Sequence, residues 1–245
     1  MPTQYDGIGK EYNAMKYLPV GLLEQATVDA HLGDVQGLDV LDLACGAGFY
    51  SQKLVNRGAR HVLGLDESEE MVQVAAGAIP TTSAGRLHFL VSDCARPFTV
   101  GAYDLVLAIW LLNYADSEEV MLTMWRNIFN NLRPGGRCLG ITSNPDMLSS
   151  VFPSGPRFGL TFTELDLPAE GTIKNRIHAH TSQPIVFDTY TRTRALYEKT
   201  AHAAGFCHLR WLPAQAPDDP QLDYTDLLRC PHLAAFEVRR AHESS

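Results

Sequence analysis

The residues of this sequence that are best suited to bind a ligand lie between positions 40 and 66. An apolar stretch, Val40 to Leu43, runs into a turn of small residues that contains Gly46 and Gly48. Glycine lets the backbone approach a ligand closely, and the free amides at the start of the following helix favour electron-rich groups. Asp66 closes a second apolar stretch, where a carboxylate can accept hydrogen bonds from both hydroxyls of a ribose. The pattern therefore predicts a nucleotide-type pocket.

Other interpretations of the same residues stay open. A glycine turn can join a strand to a helix without any ligand, and Asp66 can cap the next helix, although Ser68 already offers a cap there. NAD enzymes also place an acid at the end of this strand. However, Ser51 replaces the third glycine of the dinucleotide fingerprint G-x-G-x-x-G, which weakens the interpretation as a pyrophosphate site.

The elements that must position these residues alternate between strand and helix. The stretch from Tyr103 to Trp110 is almost continuously apolar, which is typical of a central parallel strand covered on both faces. Ser68 and Ser117 stand where each can cap a helix. In an open α/β sheet, ligands bind beyond the carboxyl ends of the strands. Strands are predicted at 40–43, 61–66, from 87 to the Asp93-Cys94 pair, at 103–110 and at 138–142.

The order of these motifs resembles that of the class I S-adenosylmethionine (SAM)-dependent methyltransferases over residues 40 to 142. The resemblance rests on Leu-Asp-Leu-Ala-Cys-Gly at 41–46, the acid Asp66, the Asp93-Cys94 pair and Leu-Arg-Pro-Gly-Gly at 132–136. Gln-Tyr-Asp-x-Ile-Gly near the start of the sequence and Leu-Leu-Asn-Tyr-Ala at 111–115 are further similar to the toxoflavin-synthase type of small-molecule N-methyltransferase. Ala44 departs from the pattern, because many relatives have a glycine there, and this difference is expected to alter the turn.

The resemblance implies an α/β fold. The expected architecture is a doubly wound, seven-stranded, mostly parallel sheet with an antiparallel terminal hairpin and a small β-rich substrate cap inserted after strand 5. A single domain is expected, with residues 1–32 as an N-terminal lid, 33–143 as the SAM-binding core, 144–190 as the cap and 191–245 as the terminal helix and hairpin. Inside the insertion, short strands are predicted at 157–166, 171–180 and 184–190, separated by turn signals.

The resemblance also implies how the cofactor is held. Asp93 would accept a hydrogen bond from the adenine amino group, and the amide of Cys94 would meet a ring nitrogen, although Asp93 could merely close a turn. Tyr5 and Tyr12 would fold over the cofactor as a lid, although they could merely anchor a flexible terminus. The predicted cofactor-binding residues are Tyr5, Tyr12, Asp42, Ala44, Cys45, Gly46, Gly48, Asp66, Glu67, Met71, Asp93, Cys94 and Ala108.

Transfer of a sulfonium methyl group is a direct displacement. The protein has to bring a lone pair in line at about 3 to 3.5 Å and exclude water, so neither a covalent intermediate nor a metal is required. Beyond the fourth strand, Asn113 and Tyr114 could orient the acceptor, while Trp110 could stack on a planar ring or only close the core.

A phenolic acceptor would benefit from a general base. Arg176, His178 and His180 share one face of a predicted strand and could line the acceptor pocket, although a solvated strand face would give the same pattern. The predicted catalytic residues are Asn113, Tyr114, His178 and His180. The predicted substrate-binding residues are Trp110, Asn113, Tyr114, Arg176 and His178.

Composition limits the partners. The sequence has 20 basic and 28 acidic residues, a net charge of −8 and no basic stripe, so nucleic acid is not an expected partner. The longest uncharged apolar run, Leu105 to Ala115, is too short to span a bilayer. Five cysteines without a C-x-x-C pair predict neither a disulfide framework nor a zinc site, and with no evident signal peptide a cytoplasmic location is expected.

The sequence therefore predicts a SAM-dependent methyltransferase that acts on a small planar metabolite. Transfer to nitrogen or oxygen, a role in secondary metabolism, release of S-adenosylhomocysteine and a monomer or homodimer are expected. One alternative is a protein with the SAM fold that does not transfer methyl groups and serves as a partner subunit or catalyses a rearrangement. Another is an NAD-dependent oxidoreductase, against which the missing third glycine and the Asp93-Cys94 pair both count.

Overall fold

Two separate sheets organise the chain. The computed structural model describes residues 3–5, 8–146, 153–169, 171–219 and 222–242. The strands are β1 (Asp39–Leu43), β2 (His61–Asp66), β3 (Leu87–Val91), β4 (Tyr103–Ile109), β5 (Leu132–Ser143), β6 (Leu160–Ala169), β7 (Thr172–Ala179), β8 (Ile185–Arg192), β9 (Leu209–Leu212) and β10 (Leu233–Arg239). The α-helices are α1 (Pro19–Leu32), α2 (Phe49–Asn56), α3 (Glu69–Gly77), α4 (Glu118–Asn131), α5 (Arg194–Ala203) and α6 (Thr225–Arg229). Shorter-pitched 3-10 helices cover Gly9–Tyr17, Thr81–Ser83 and Leu112–Tyr114.

The larger sheet has seven strands in the order β3-β2-β1-β4-β5-β10-β9. The first five strands run parallel, whereas β10 is antiparallel to both of its neighbours. This order confirms the predicted α/β class and the antiparallel terminal hairpin. It also brings the carboxyl ends of β1, β2 and β4 to one edge, where ligands of open α/β sheets bind.

Apolar cores cover both faces of this sheet. Along β1, Val40 packs in the core that contains Leu23 of α1, whereas Leu41 packs in the core that contains Trp125 of α4. Successive side chains of a strand point to opposite faces, so a central strand must be apolar at nearly every position. Trp125 is fully buried in the second core, away from the predicted ligand edge.

The smaller sheet is the β-rich insertion predicted after the fifth strand. Strands β6, β7 and β8 form an antiparallel sheet, referred to below as the cap sheet. Along β7, Ile173, Asn175, Ile177 and Ala179 are buried, whereas the alternate residues after the buried Thr172 are half-buried or exposed. The apolar set must face the protein, so it decides which side of the cap sheet looks inward.

Helix starts follow the predicted caps. The amide of Met71 donates to the hydroxyl of Ser68 at the start of α3, and the amide of Val120 donates to the hydroxyl of Ser117 at the start of α4, each at 3.3 Å. Pro19 opens α1, where its missing N–H is not needed. Among the described residues, no helix combines the length and the apolar character needed to cross a membrane.

Candidate functional site

A cavity of about 350 Å³ lies at the carboxyl ends of the parallel strands. We call it the first cavity, and its size suits a small ligand or cofactor. The predicted cofactor residues that line it are Tyr5, Tyr12, Ala44, Gly46, Asp66, Glu67, Met71, Asp93 and Cys94. Asp42 and Cys45 line a smaller void beneath the glycine turn. Gly48 and Ala108 border neither space, and Ala108 is fully buried in the core.

The turn after β1 contains three residues with positive φ angles. The φ angle is 55° at Ala44, 53° at Gly46 and 80° at Gly48. Ala44 adopts a backbone conformation that glycine tolerates more easily, at a cost of about 1–2 kcal/mol. A side chain at Gly48 would lie 2.8 Å from the ring of Phe89, so this glycine serves packing. At Gly46 a Cβ would meet only the Tyr12 ring, at 3.7 Å, because this position faces the first cavity.

Asp66 ties the glycine turn to the end of β2. Its Oδ2 accepts a hydrogen bond from the amide of Gly46 at 2.8 Å, and its Oδ1 accepts one from the amide of Ser68 at 3.0 Å. The amide of Glu67 is a third backbone group that bonds to this carboxylate, which has about four lone-pair sites and can therefore still accept from a ligand hydroxyl. Burial raises the pKa of Asp66, while the backbone amides lower it. The alternative role of Asp66 as a cap is not needed, because Ser68 caps α3.

Asp93 and Asp42 have different environments. Asp93 closes a turn by accepting from the amide of Ala95 at 2.8 Å and pairs with Arg96 at 3.1 Å, yet it also lines the first cavity. Asp42 lies beneath the glycine turn, where its Oδ2 accepts a hydrogen bond from the hydroxyl of Ser51 at 2.6 Å. Burial raises the pKa of Asp42 to about 7, although the bond from Ser51 opposes the shift.

Three tyrosines close one side of the first cavity. Tyr5 makes edge-to-face contacts with Tyr12 and Tyr114, with ring centroids 5.6 and 5.7 Å apart, and its hydroxyl donates to that of Tyr114. Burial raises the pKa of all three, so they are neutral hydrogen-bonding groups. The neighbouring Gln4 holds the segment in place, because its side-chain amide pairs with both the carbonyl and the amide of Asp188 on β8, at 3.2 and 2.9 Å.

A second cavity of about 50 Å³ adjoins the first. The two cavities share the side chains of Tyr12, Trp110 and Tyr114, which stand between them. The far wall of the second cavity comes from the inward face of the cap sheet, through Leu160, Phe162, Ile177, Phe187 and Thr189. The structure therefore has two adjoining spaces, one at the parallel strands and one under the cap sheet.

Glu24 supports the floor of the second cavity from α1. It is buried and accepts hydrogen bonds from the Nζ of Lys16, the hydroxyl of Tyr50 at 2.6 Å and the Nε1 of Trp110 at 2.7 Å. Burial raises the pKa of Glu24, but the Lys16 ammonium and these hydrogen bonds bring it below its ordinary value. Glu24 is therefore ionised, and its charge is balanced by Lys16.

His232 faces the same cavity from the segment before β10. Its ring stacks on Trp110, with centroids 5.8 Å apart and planes inclined by 19°. Burial lowers its pKa to about 4, so the imidazole is neutral, and its Nδ1 has no hydrogen-bond partner among the described residues. Asn113 is also buried and lines this cavity.

Three predicted residues do not reach either cavity. Arg176 and His178 lie on the face of β7 opposite to Ile177, and His180 follows the end of the strand. None of the three lines either cavity, although Lys174 on the same face as Arg176 lines the first cavity. Arg176 forms a two-point pair with Asp188 at 2.8 and 3.1 Å, and His180 contacts the hydroxyl of Thr161 at 2.7 Å. The expectation that these side chains line a pocket is therefore not met at either cavity, and the neighbouring Ile177 lines the second cavity instead.

Glu24 and His232 were not singled out from the sequence as site residues. The sequence feature that could have indicated Glu24 is its position as an acid in the otherwise apolar start of α1. His232 follows a proline just before an apolar strand and carries no spacing that indicates a site. Trp110, Asn113 and Tyr114 do lie at the cavities, as their place after the fourth strand indicated.

These features define a doubly wound α/β domain with a cavity at its ligand-binding edge and a β-rich cap. Residues 40–136 match the model of a methyltransferase domain. This match agrees with the resemblance to methyltransferases that the motifs at residues 40–142 indicated.

Similar proteins agree with this assignment. A demethylmenaquinone methyltransferase of Lactococcus lactis is 35% identical over 130 residues, which is 51% of this chain and 50% of that protein. The O-methyltransferase rstn1 of Aspergillus nomiae is 27% identical over 179 residues, 69% of this chain and 75% of that protein. The match thus spans only half of the first of these relatives. A solved S-adenosylmethionine-dependent methyltransferase from Mesorhizobium loti is 20% identical, with a TM-score of 0.63 over 91% of this chain and all of that one, and it shares the fold.

Proposed function

We propose that the protein transfers the methyl group of SAM to a nitrogen or oxygen of a small planar metabolite. The observation that carries the proposal is the shared boundary of the two cavities, formed by Tyr12, Trp110 and Tyr114. A donor in the first cavity and an acceptor in the second would meet at this boundary. Such a meeting of the two reactants is the main requirement of a direct displacement.

The residues of the first cavity fit SAM. Gly46 leaves the backbone open on the cavity side, and the Asp66 carboxylate lines the cavity, where it can accept a hydrogen bond from the ribose. Asp93 at the end of the third strand is suited to the adenine amino group. When bound, SAM supplies an electrophilic methyl group on a sulfonium. The rings of Tyr5 and Tyr12 can attract this cation, by about 0.5 to 2 kcal/mol.

The chain's own residues would then orient the acceptor and exclude water. Trp110 can stack on a planar ring, and Asn113 and Tyr114 can fix its polar atoms. Residues 1–32 would act as a lid, which the bond between Gln4 and Asp188 of the cap sheet supports. With Arg176, His178 and His180 outside the cavities, transfer would depend on positioning, and a strand histidine would not serve as a base.

Calorimetric titration with SAM, S-adenosylhomocysteine and NADH tests the cofactor. Binding of the first two and not the third is expected, and selective binding of NADH would instead favour the oxidoreductase alternative. A mass-spectrometric screen of phenols and nitrogen heterocycles with SAM then tests transfer. Tight SAM binding without any methylated product would favour the alternative of a SAM-fold protein that does not transfer methyl groups.

A further inference from the structure

The second cavity contains a buried amide that the protein itself does not use. The side chain of Asn113 is 1% exposed, and neither its Nδ2 nor its Oδ1 has a hydrogen-bond partner among the described residues. The Tyr114 hydroxyl lies close enough for Asn113 to lower its pKa, but the contact does not have hydrogen-bond geometry. Leaving a buried polar group unpaired costs about 1–3 kcal/mol, so such a group calls for an explanation.

Along one edge, a primary amide presents an N–H donor beside its C=O acceptor. A cis amide, such as the –NH–CO– of a small-ring lactam, matches both groups at once. Asn113 therefore favours a ligand edge that has a donor next to an acceptor. A ligand with only an acceptor there would leave Oδ1 unpaired.

The rest of the cavity favours a neutral planar ring. Among its described lining residues there is no lysine or arginine, and the charged group present is the Glu24 carboxylate, so an anionic ligand would find no counter-ion. Phe162, Ile177 and Phe187 form apolar walls, and Trp110 offers the face of its indole. The volume of about 50 Å³ is smaller than the roughly 150 Å³ of a cavity that holds benzene, so the second cavity has room for one edge of a ring and not for a whole ring.

His232 provides a second polar position in the same space. Its Nδ1 is buried without a partner among the described residues, and its ring is fixed by stacking on Trp110. A neutral imidazole offers one donor and one acceptor. It can therefore meet a further polar atom on the ring of the ligand.

We propose that the second cavity is a subsite for the amide edge of a neutral lactam ring, recognised through its N–H and C=O by Asn113. This inference rests on the proposed function, because it specifies the class of methyl acceptor that would bind beside SAM. In this proposal Asn113 recognises the substrate, and no atom of the substrate is assigned as the one that receives the methyl group.

Ligand-detected NMR titration with 2-pyridone, 1-methyl-2-pyridone and benzoate tests the proposal. The three probes have similar rings, but the second lacks the N–H donor and the third is an anion. Binding of 2-pyridone is expected to be at least about 10-fold tighter than that of either other probe. Equal binding of 2-pyridone and its methyl derivative, tighter binding of benzoate, or no binding of any probe would overturn the proposal.

Variants locate the effect at Asn113. In Asn113→Leu, which has a similar size and no polar atoms, 2-pyridone and its methyl derivative should bind with affinities within about 2-fold of each other. The exposed Asn56→Leu on α2 serves as the control and should keep the preference. A preference that survives in Asn113→Leu would overturn the assignment to Asn113. If this variant does not fold, the comparison of the three probes on the unaltered protein still tests whether the second cavity prefers a lactam.

The titrations are run with and without saturating S-adenosylhomocysteine. Failure of S-adenosylhomocysteine to bind counts against the proposed function, whereas probe selectivity in its absence still tests the subsite. Asn113 does not line the first cavity. Asn113→Leu is therefore expected to bind S-adenosylhomocysteine within about 2-fold of the unaltered protein.

Discussion

Trp110 and His232 lie face to face, although one follows β4 and the other precedes β10. Trp110 has a φ angle of 60°, which is uncommon for a residue with a large side chain and costs about 1–3 kcal/mol. The surrounding contacts hold it there, because its Nε1 donates to Glu24 of α1 and its amide donates to the carbonyl of Ile141 at 2.8 Å. The strained residue thus joins three elements at the boundary between the two cavities.

Glu24→Gln should destabilise the protein strongly. The substitution removes the counter-ion of the buried Lys16, and breaking a buried ion pair from one side costs about 3–5 kcal/mol. Asp29→Asn is the matched control, since Asp29 pairs with Lys53 and is 42% exposed, so its loss should cost less than about 1 kcal/mol. Urea denaturation measures both, and similar losses would contradict a structural role for the Glu24 charge.

Gly46→Ala should impair SAM binding more than folding. Both Gly46 and Gly37 have positive φ angles, and an added Cβ would find no clash at either position, so each substitution carries a similar conformational cost of about 1–2 kcal/mol. Gly46 lines the first cavity, whereas Gly37 lies in the loop before β1. In calorimetry, Gly46→Ala is expected to lose at least about 10-fold in SAM affinity, while Gly37→Ala keeps it. Equal affinities would show that the glycine at 46 is needed only for the turn.

Asp93→Ala should weaken SAM binding by about 10- to 150-fold, the loss of one charge-assisted hydrogen bond of about 1.5 to 3 kcal/mol. Asp34→Ala is a close control, because Asp34 also accepts a hydrogen bond from the amide two residues further on, at 2.9 Å, but lies away from the cavity. If the two variants bind SAM equally well, Asp93 serves the turn alone.

Asp66→Asn tests the ribose contact without removing the side chain. The amide oxygen can still accept one backbone hydrogen bond, but the second oxygen is replaced by a donor that faces the Gly46 or Ser68 amide. SAM affinity is expected to fall by at least about 10-fold in calorimetry. Thermal denaturation of the same samples separates lost affinity from lost folding, and unchanged affinity in a folded variant would contradict the assignment.

Stability should depend on pH through Asp42. Its pKa is about 7 in the folded protein and about 4 in the unfolded chain, so between these values the folded state holds a proton that the unfolded state has lost. The free energy of unfolding contributed by this group therefore falls as the pH rises from about 4 to 7. Asp42→Asn should gain stability relative to the unaltered protein between pH 5 and pH 8. Melting temperatures at the two pH values check this, and a constant difference would contradict it.

The sequence was sufficient for the parallel sheet because the signals for its strands are local. Asp66 and Gly46 each stand where an apolar stretch ends. A parallel sheet brings the carboxyl ends of its strands to one edge, whichever side chains pack around them. The inward face of β7 depends on which alternate residues pack against distant elements, so a period of two alone could not decide between Ile177 and His178.

Glu24 and His232 could not be paired from the sequence for a related reason. They meet through Trp110, and the contact exists only after α1, β4 and the start of β10 have come together. Their own neighbours in the chain give no indication of this. Long-range contacts between single polar residues therefore mark the limit of what local patterns predict here.

The two sheets share no hydrogen-bonded ladder among the described strands. Substitutions at Phe162, Ile177 or Phe187 can therefore reshape the wall of the second cavity while the strands that carry Asp66 and Gly46 stay as they are. Under the proposed function, the affinity for the cofactor and the choice of acceptor would then be separately adjustable. A library confined to the inward positions of the cap sheet would be a route to new acceptors, at little risk to the strands that carry Asp66 and Gly46.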